Sequence, residues 1–191
     1  MTYHEPSSLE VFITVVVGNL FGSVYKTAVE SLELQGNERV LDFGSGAGTP
    51  ARFLARKLAE GGGALTCVDV SQVWIETAQK RLKRYSNATF HTGGISELDI
   101  PDESHDMVFI HFVIHDISAS QRPQVVKRLA RKLVVGGRLY VREPLNVIAQ
   151  DEIRRLMQQN GLSEVRASVG NVPLMGATYE GIFVKEEQDH A

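Results

Sequence analysis

The segment Val40-Leu41-Asp42-Phe43-Gly44-Ser45-Gly46-Ala47-Gly48 joins an apolar run, an acid and three closely spaced glycines. Glycines let a chain turn tightly and let a ligand approach the main chain. If a helix follows, its first N–H groups lack internal partners and face outward. Asp69 closes the next apolar run, Ala64 to Asp69, where a carboxylate can accept hydrogen bonds from a ribose diol. Two nucleotide-like ligands could use this pair. A dinucleotide motif reads G-x-G-x-x-G, with pyrophosphate over the helix end. Here the third glycine falls one residue early, as G-x-G-x-G. Asp42 also stands two residues before the first glycine. A buried acid repels a pyrophosphate but suits a ligand with an ammonium and a sulfonium. The residues therefore favour a cationic nucleotide over a dinucleotide.

Further polar groups cluster after two other β-like runs. His111 and His115 flank the end of one, in His-Phe-Val-Ile-His-Asp. Ligands of doubly wound sheets bind at the carboxyl ends of strands. His115 is accordingly a candidate base or polar wall toward an acceptor, the alternative being a loop brace beside Asp116. A metal pair would need both histidines on one helix face and a further ligand, which is not evident, so no metal is expected. Arg142-Glu143-Pro144 ends the next run. Arg142 reads either as an acceptor contact or as part of a loop salt bridge and turn, the second being preferred. Cys67 lies inside an apolar run and reads as a buried small hydrophobe.

The elements that must position these groups alternate short β-like runs with amphipathic segments. This pattern predicts an α/β fold, a Rossmann-like doubly wound, mostly parallel seven-stranded sheet with helices on both faces. Ser7-Ser8-Leu9-Glu10 resembles a capping box opening a first helix, interrupted near Gly18 and Gly22. Strands are expected at 39–43, 64–69, 88–92, 106–111 and 138–142, with helices near 49–60, 71–82, 120–133 and 149–159. Gly61-Gly62-Gly63 reads as a flexible link. Two last runs, 163–169 and 178–185, surround a loop with Pro173 and Gly176, so the final strand is expected to return antiparallel at or near the sheet edge. The chain reads as a single domain, 1–191, with an N-terminal helical segment (1–36), a cofactor-binding core (37–145) and a C-terminal helix with two strands (146–191).

Composition narrows the classes. The 191 residues carry 20 Lys+Arg against 23 Asp+Glu, a net charge of −3, so no basic excess asks for a polyanionic partner and nucleic acid is disfavoured. A single cysteine excludes an internal disulfide and fits a reducing, cytoplasmic setting. Met1 to Ser8 lacks a secretory leader. Leu9 to Phe21 is apolar but shorter than the roughly 20 residues of a membrane span, so it reads as a helix that buries against something. That something is the sheet, the active site as a lid, or another subunit in a homodimer. A membrane is disfavoured for want of Lys or Arg beside it. The charged tail from Lys185 to Ala191 reads as frayed.

Taken in order, the glycine loop, Asp69, Phe90 to Leu98, Asp106-Met107-Val108-Phe109 and Leu133-Val134-Val135-Gly136-Gly137-Arg138-Leu139 resemble the class I S-adenosylmethionine-dependent methyltransferases, especially the small quinone-biosynthesis type. The resemblance covers roughly residues 36–145. It implies S-adenosyl-L-methionine as cofactor, with S-adenosyl-L-homocysteine as product. Asp42, Gly44, Ser45 and Gly46 would hold the methionine part and Asp69 the ribose. Val70 and Trp74 would lie against the adenosine, and His111 would be a wall of the cofactor pocket. An Asp common in the family is Gly94 here, so backbone near Gly94 and Ile95 would take its place. A common proline is Val135, and a common Cys is Ser45. The resemblance also implies an N-terminal cover for the active site, which brings Tyr25, with Tyr3 and His4, to the acceptor side.

Methyl transfer from a sulfonium is an in-line displacement that needs alignment and exclusion of water more than catalytic groups. The leading expectation is thus a small-molecule methyltransferase with His115 as catalytic candidate and Tyr25, His115 and Arg142 as acceptor contacts. A protein or RNA methyltransferase and a non-catalytic cofactor binder remain as alternatives, with a dehydrogenase more distant. The chain lacks an (Asp/Asn)-Pro-Pro-(Tyr/Phe) motif, and its lone cysteine argues against arsenic methylation.

Overall fold

A computed structural model describes residues 5–187. Tyr3, His4 and residues 188–191 of the expected tail lie outside the described residues. The elements run α1 (Ser8–Leu20), α2 (Gly22–Glu30), β1 (Arg39–Phe43), α3 (Ala51–Ala59), β2 (Ala64–Asp69), α4 (Gln72–Leu82), β3 (Ala88–Thr92), β4 (His105–His111), a 3-10 turn (Ile114–Asp116), α5 (Arg122–Lys132), β5 (Leu133–Pro144), α6 (Gln150–Gln158), β6 (Leu162–Val172) and β7 (Gly176–Lys185). The seven strands are ordered β3-β2-β1-β4-β5-β7-β6, a doubly wound arrangement of the kind the alternation predicts. The chain forms two compact units that divide after Leu98.

In the first unit β1, β2 and β3 pair in parallel, with Asp42 opposite Cys67 and Asp69 opposite Thr92. Four of the five residues of β1 are buried, as a parallel strand covered on both faces requires. Helix α3 buries Leu54, Ala55 and Leu58, and α4 buries Ile75, Ala78 and Leu82. Ser71 caps α4, its hydroxyl accepting the Trp74 N–H at 3.1 Å. The expected capping box at Ser7 is formed with Glu10.

Helix α1 departs from expectation. It buries only Gly18, whereas Leu9, Phe12, Ile13, Val16 and Leu20 stay exposed as a stripe at helical spacing. The reason is that α1 is apolar on both sides, and only the glycine side fits closely: a Cβ built on Gly18 would lie 2.7 Å from Thr49 Oγ1. Among the described residues no single helix is long and apolar enough to cross a membrane. The bent pair α1–α2 passes that test only jointly, with a 62° angle.

Gly61-Gly62-Gly63 is a tight joint and not a flexible link. The Gly63 N–H donates to Gly36 O at 2.8 Å and Leu58 O at 2.9 Å. A Cβ at Gly63 would sit 2.5 Å from Glu38 O and 2.6 Å from Gly36 O. The chain needs bare backbone here because two backbone segments meet.

In the second unit β4 and β5 are parallel, with Phe109 opposite Tyr140 and His111 opposite Arg142. β7 runs antiparallel to both β5 and β6. The final strand therefore inserts beside β5, and β6 takes the edge. Strand β5 is longer than expected because Leu133 already pairs with His105 before the Gly136-Gly137 bend. Helices α5 and α6 bury Val126 and Leu129, and Ile153, Leu156 and Met157.

Gly63→Ala is expected to lower folding stability by about 1–3 kcal/mol, the usual cost of overpacking a close contact. Urea denaturation measures this, and a midpoint equal to wild type would show that the joint can open without loss.

Candidate functional site

The polar groups of the first unit meet where β1 and β2 end. Gly44, Gly46 and Gly48 all adopt positive φ (73°, 50° and 72°), the left-handed conformation that glycine takes without strain. This turns the loop back, so that Gly44 N and Ser45 N donate to Val68 O at 2.8 and 3.0 Å. The Gly46 N–H then reaches Asp69 Oδ2 at 2.8 Å, and the Ser71 N–H reaches Asp69 Oδ1 at 3.0 Å. Asp69 thus joins the loop after β1 to the start of α4.

Asp42 is 1% exposed, and its Oδ2 has no hydrogen-bond partner among the described residues; Ser45 Oγ is likewise buried without one. Burial, with the nearby Asp69 charge, raises the Asp42 carboxyl from 3.8 to about 8. Burial also raises Asp69, opposed by the N–H groups of Ser71, Gly46 and Val70. Two buried acids, one of them with an orphaned oxygen, suit a cation and reject a phosphate. The donor set is oxygen and backbone nitrogen, and no group of three His, Cys, Asp or Glu able to hold a metal occurs among the described residues. The residues present therefore fit an adenosyl sulfonium with an ammonium group.

Of the other expected cofactor contacts, Val70 is partly exposed and Trp74 half-buried, on either side of Ser71. The loop after β3 is tied to Asp69 through Gly93 N–H and Asp69 O at 2.9 Å. Ile95 is buried. The Gly94 N–H donates to Glu97 Oε2 at 3.1 Å, so a ligand using that amide must displace Glu97. Glu5 is a contributor that the sequence does not signal. Its carboxylate accepts the Ser71 hydroxyl at 2.5 Å and the Gln72 N–H at 3.1 Å, and it raises the Asp69 pKa further. Arg81 braces the loop, donating to Ala47 O at 2.5 Å and Thr49 Oγ1 at 3.0 Å. Burial, then the Arg52 charge, lowers the Arg81 pKa, and Tyr25, on α2, opposes that shift.

The second unit holds the histidines. His111 is buried and stacks on Phe109 with centroids 5.8 Å apart, while Phe109 stacks on Tyr140 at 4.8 Å. Burial, then the Arg142 charge, lowers the His111 pKa to about 3. His111 is therefore neutral at physiological pH. Arg142 is paired across the sheet with Glu180, its Nε donating at 3.0 Å, while Nη1 is buried without a partner among the described residues. The ion pair expected as the preferred reading of Arg142 thus runs across the sheet to β7 and not within the loop.

His115 lies in the turn after β4. Its Nδ1 is 2.6 Å from Glu143 Oε2, and Glu143 Oε1 accepts the N–H groups of Val113 at 2.9 Å and Ile114 at 2.6 Å. The Glu143 hydrogen bond is the largest cause of a raised His115 pKa, with burial opposing it. From its sequence neighbours Glu143 is only a turn residue beside Pro144. The parallel pairing of β4 and β5 is what reveals that it holds His115.

A family model described as a methyltransferase domain matches residues 40–137, more than half the chain. Demethylmenaquinone methyltransferase of Tropheryma whipplei (strain Twist) is 35% identical over 119 residues, which is 62% of this chain and 46% of that protein. The chain thus spans about half the length of such curated relatives. Among solved structures, a SAM-dependent methyltransferase from Methanosarcina mazei aligns with a TM-score of 0.73 at 17% identity, covering 84% of this chain and 98% of that one. The [4+2]-cyclase SpnF aligns with a TM-score of 0.75 at 16% identity, covering 87% and 82%. At such identities these two speak for the fold alone. With the model match across the glycine loop, Asp69, β4 and the first residues of β5, the chain belongs to the methyltransferase domain family, with the class I S-adenosylmethionine-dependent fold.

Proposed function

We propose that this chain is one methyltransferase domain that transfers a methyl group from S-adenosylmethionine to a small-molecule acceptor. The observation that carries the reading is the pair of buried acids, Asp42 and Asp69, around a left-handed glycine loop with the orphaned oxygens of Asp42 and Ser45. When bound, the cofactor supplies an electrophilic methyl group on a sulfonium. Asp42, Gly44, Ser45 and Gly46 would hold its ammonium end, and Asp69 would accept the ribose hydroxyls. Val70, Trp74, Gly94 and Ile95 would be the apolar and backbone walls that the first unit provides. On the acceptor side, within the second unit, His115 is the candidate base. The exposed stripe of α1 is where a second subunit or an apolar acceptor would rest. The matching relatives named for small-molecule acceptors, demethylmenaquinone among them, support the acceptor class. A reducing, cytoplasmic location suits the single buried Cys67.

Incubation with methyl-labelled S-adenosylmethionine and a small-molecule extract is expected to label a low-mass product. His115→Ala is expected to bind the cofactor normally and turn over more slowly. Label confined to protein or RNA would overturn the acceptor class, and unchanged turnover would remove His115 from the site.

Asp69→Ala is expected to weaken S-adenosylmethionine binding by about 1.5–3 kcal/mol, the range for a charge-assisted hydrogen bond. Calorimetry reads this directly, and equal affinity would refute the ribose role.

Asp42 also predicts a pH dependence. Its carboxyl is mostly protonated below about 8, and a cation beside it favours the ionised form. Cofactor binding should therefore release a proton and tighten as pH rises from about 6 toward 8, by up to about tenfold per unit. Asp42→Asn should bind weakly with a flat profile. A dissociation constant independent of pH in the wild type would contradict a cation at Asp42.

A further inference from the structure

We propose that Glu143 is a positioning residue that presents His115 as a base, and hence that the acceptor is a weakly acidic hydroxyl compound, a phenol or enol, that must lose its proton to react. The inference rests on the methyl-transfer reading above and deepens its acceptor side.

The geometry begins with the backbone. β4 and β5 run in parallel, and Phe112 N–H continues their pairing by donating to Arg142 O at 2.9 Å. Phe112 itself has φ +61°, a left-handed conformation rare for an aromatic residue. Strain of this kind persists where surrounding structure holds it, often at functional sites. Here it swings the next two N–H groups onto Glu143 Oε1, at 2.9 and 2.6 Å. The other oxygen, Oε2, is thereby left for His115 Nδ1 at 2.6 Å. The Glu143 side chain is 0% exposed, so its charge is stabilised by these three partners in place of water.

The consequence falls on the imidazole. A carboxylate can only accept, so the proton of neutral His115 must sit on Nδ1. The lone pair is then on Nε2, which is the basic nitrogen. The His115 side chain is 18% exposed, enough to meet a small molecule. Nε2 has Asp116 Oδ1 3.4 Å away, on a side chain that is itself 76% exposed and able to swing aside. The charged groups that act on His115 are Glu143 and Asp116, which favour its protonated form, and Arg122, which opposes it. Arg122 also pins the turn, donating to Ile114 O, Ile117 O and His115 O at 3.1, 2.8 and 3.2 Å. Glu143 thus holds the ring, and Arg122 holds the turn that carries it.

An acceptor that is already ionised, such as a thiolate, has no use for this base. A hydroxyl that is neutral at working pH does. Its proton passes to His115 Nε2, and the O–H bonding pair stays on oxygen as the nucleophilic pair. The imidazolium, paired with Glu143 through Nδ1–H, returns the Nε2 proton to solvent. The oxygen would form its new bond to the donor's methyl carbon as the methyl–sulfur bond breaks, the bonding pair passing to sulfur to leave the neutral thioether product, and no oxidant or reductant is involved.

A glutamine at 143 separates positioning from simple bracing. Its carbonyl can still accept the two turn N–H groups, but its amide then faces Nδ1 and donates. Glu143→Gln should therefore keep the fold, shift neutral His115 to the Nε2–H tautomer and lower its pKa, as read by nitrogen NMR of histidine-labelled protein. With methyl-labelled donor and two probes, 1-naphthol and 4-nitrothiophenol, the variant should lose about 100-fold on the naphthol near neutral pH, regain rate as pH rises, and keep its rate on the ionised thiol. Equal loss on both probes, or an unchanged tautomer, overturns the positioning role. Transfer by the wild type to the thiol alone, or to neither probe, overturns the acceptor class. Failure of the wild type to bind S-adenosylmethionine in calorimetry would instead overturn the methyl-transfer reading.

Discussion

The carboxylate of Asp69 accepts two backbone N–H groups, one from Gly46 in the loop after β1 and one from Ser71 at the start of α4. That interaction sets the shape of everything around it. It requires Gly46 in a left-handed conformation, which aims the N–H back toward the neighbouring strand. It also requires Ser71 next to it, whose hydroxyl then caps α4 and receives Glu5 as a partner. Because the acid uses backbone groups as donors, its charge can be kept in a site that is only 8% exposed. A ligand with a diol can exchange for one of these donors without leaving the carboxylate unpaired.

Asp42 stands in the opposite condition. It shares the same strand ends but has no donor on Oδ2 among the described residues, so burial holds it neutral up to about pH 8. A neutral buried acid is tolerable, whereas an ionised one needs a cation nearby. The two acids are therefore unlike, one hydrogen-bonded by backbone N–H groups and the other buried with an oxygen left unpaired among the described residues. The histidines of the second unit show the same division. Burial beside Arg142 keeps His111 uncharged, and the carboxylate of Glu143 makes His115 more basic. Two residues of one type, four positions apart, acquire different chemistry from their surroundings.

Much of the fold is legible in the residue order. Periodicity places most strands and helices to within a few residues, because apolar runs and glycine punctuation are local signals. The glycine loop and Asp69 are legible because a strand–loop–helix unit brings its next strand alongside in a predictable way. Glu143 is not, since its meaning depends on a partner 28 residues away in sequence and on the left-handed turn at Phe112. Glu5 is hidden for the same reason at longer range, 66 residues from Ser71.

The residue pattern by itself determined the α/β class, the strand–loop–helix cradle and the charge type of ligand that the cradle accepts. These follow from hydrophobic period, glycine's freedom and the sign of a buried acid, all of which are local. Tertiary structure decided which polar atoms are satisfied and which are not. Hydrogen-bond partners, burial and the resulting protonation states arise only when distant segments meet. That is why Gly61-Gly62-Gly63 is a joint and not a link, why α1 keeps its apolar stripe outside, and why His111 and His115 part in role.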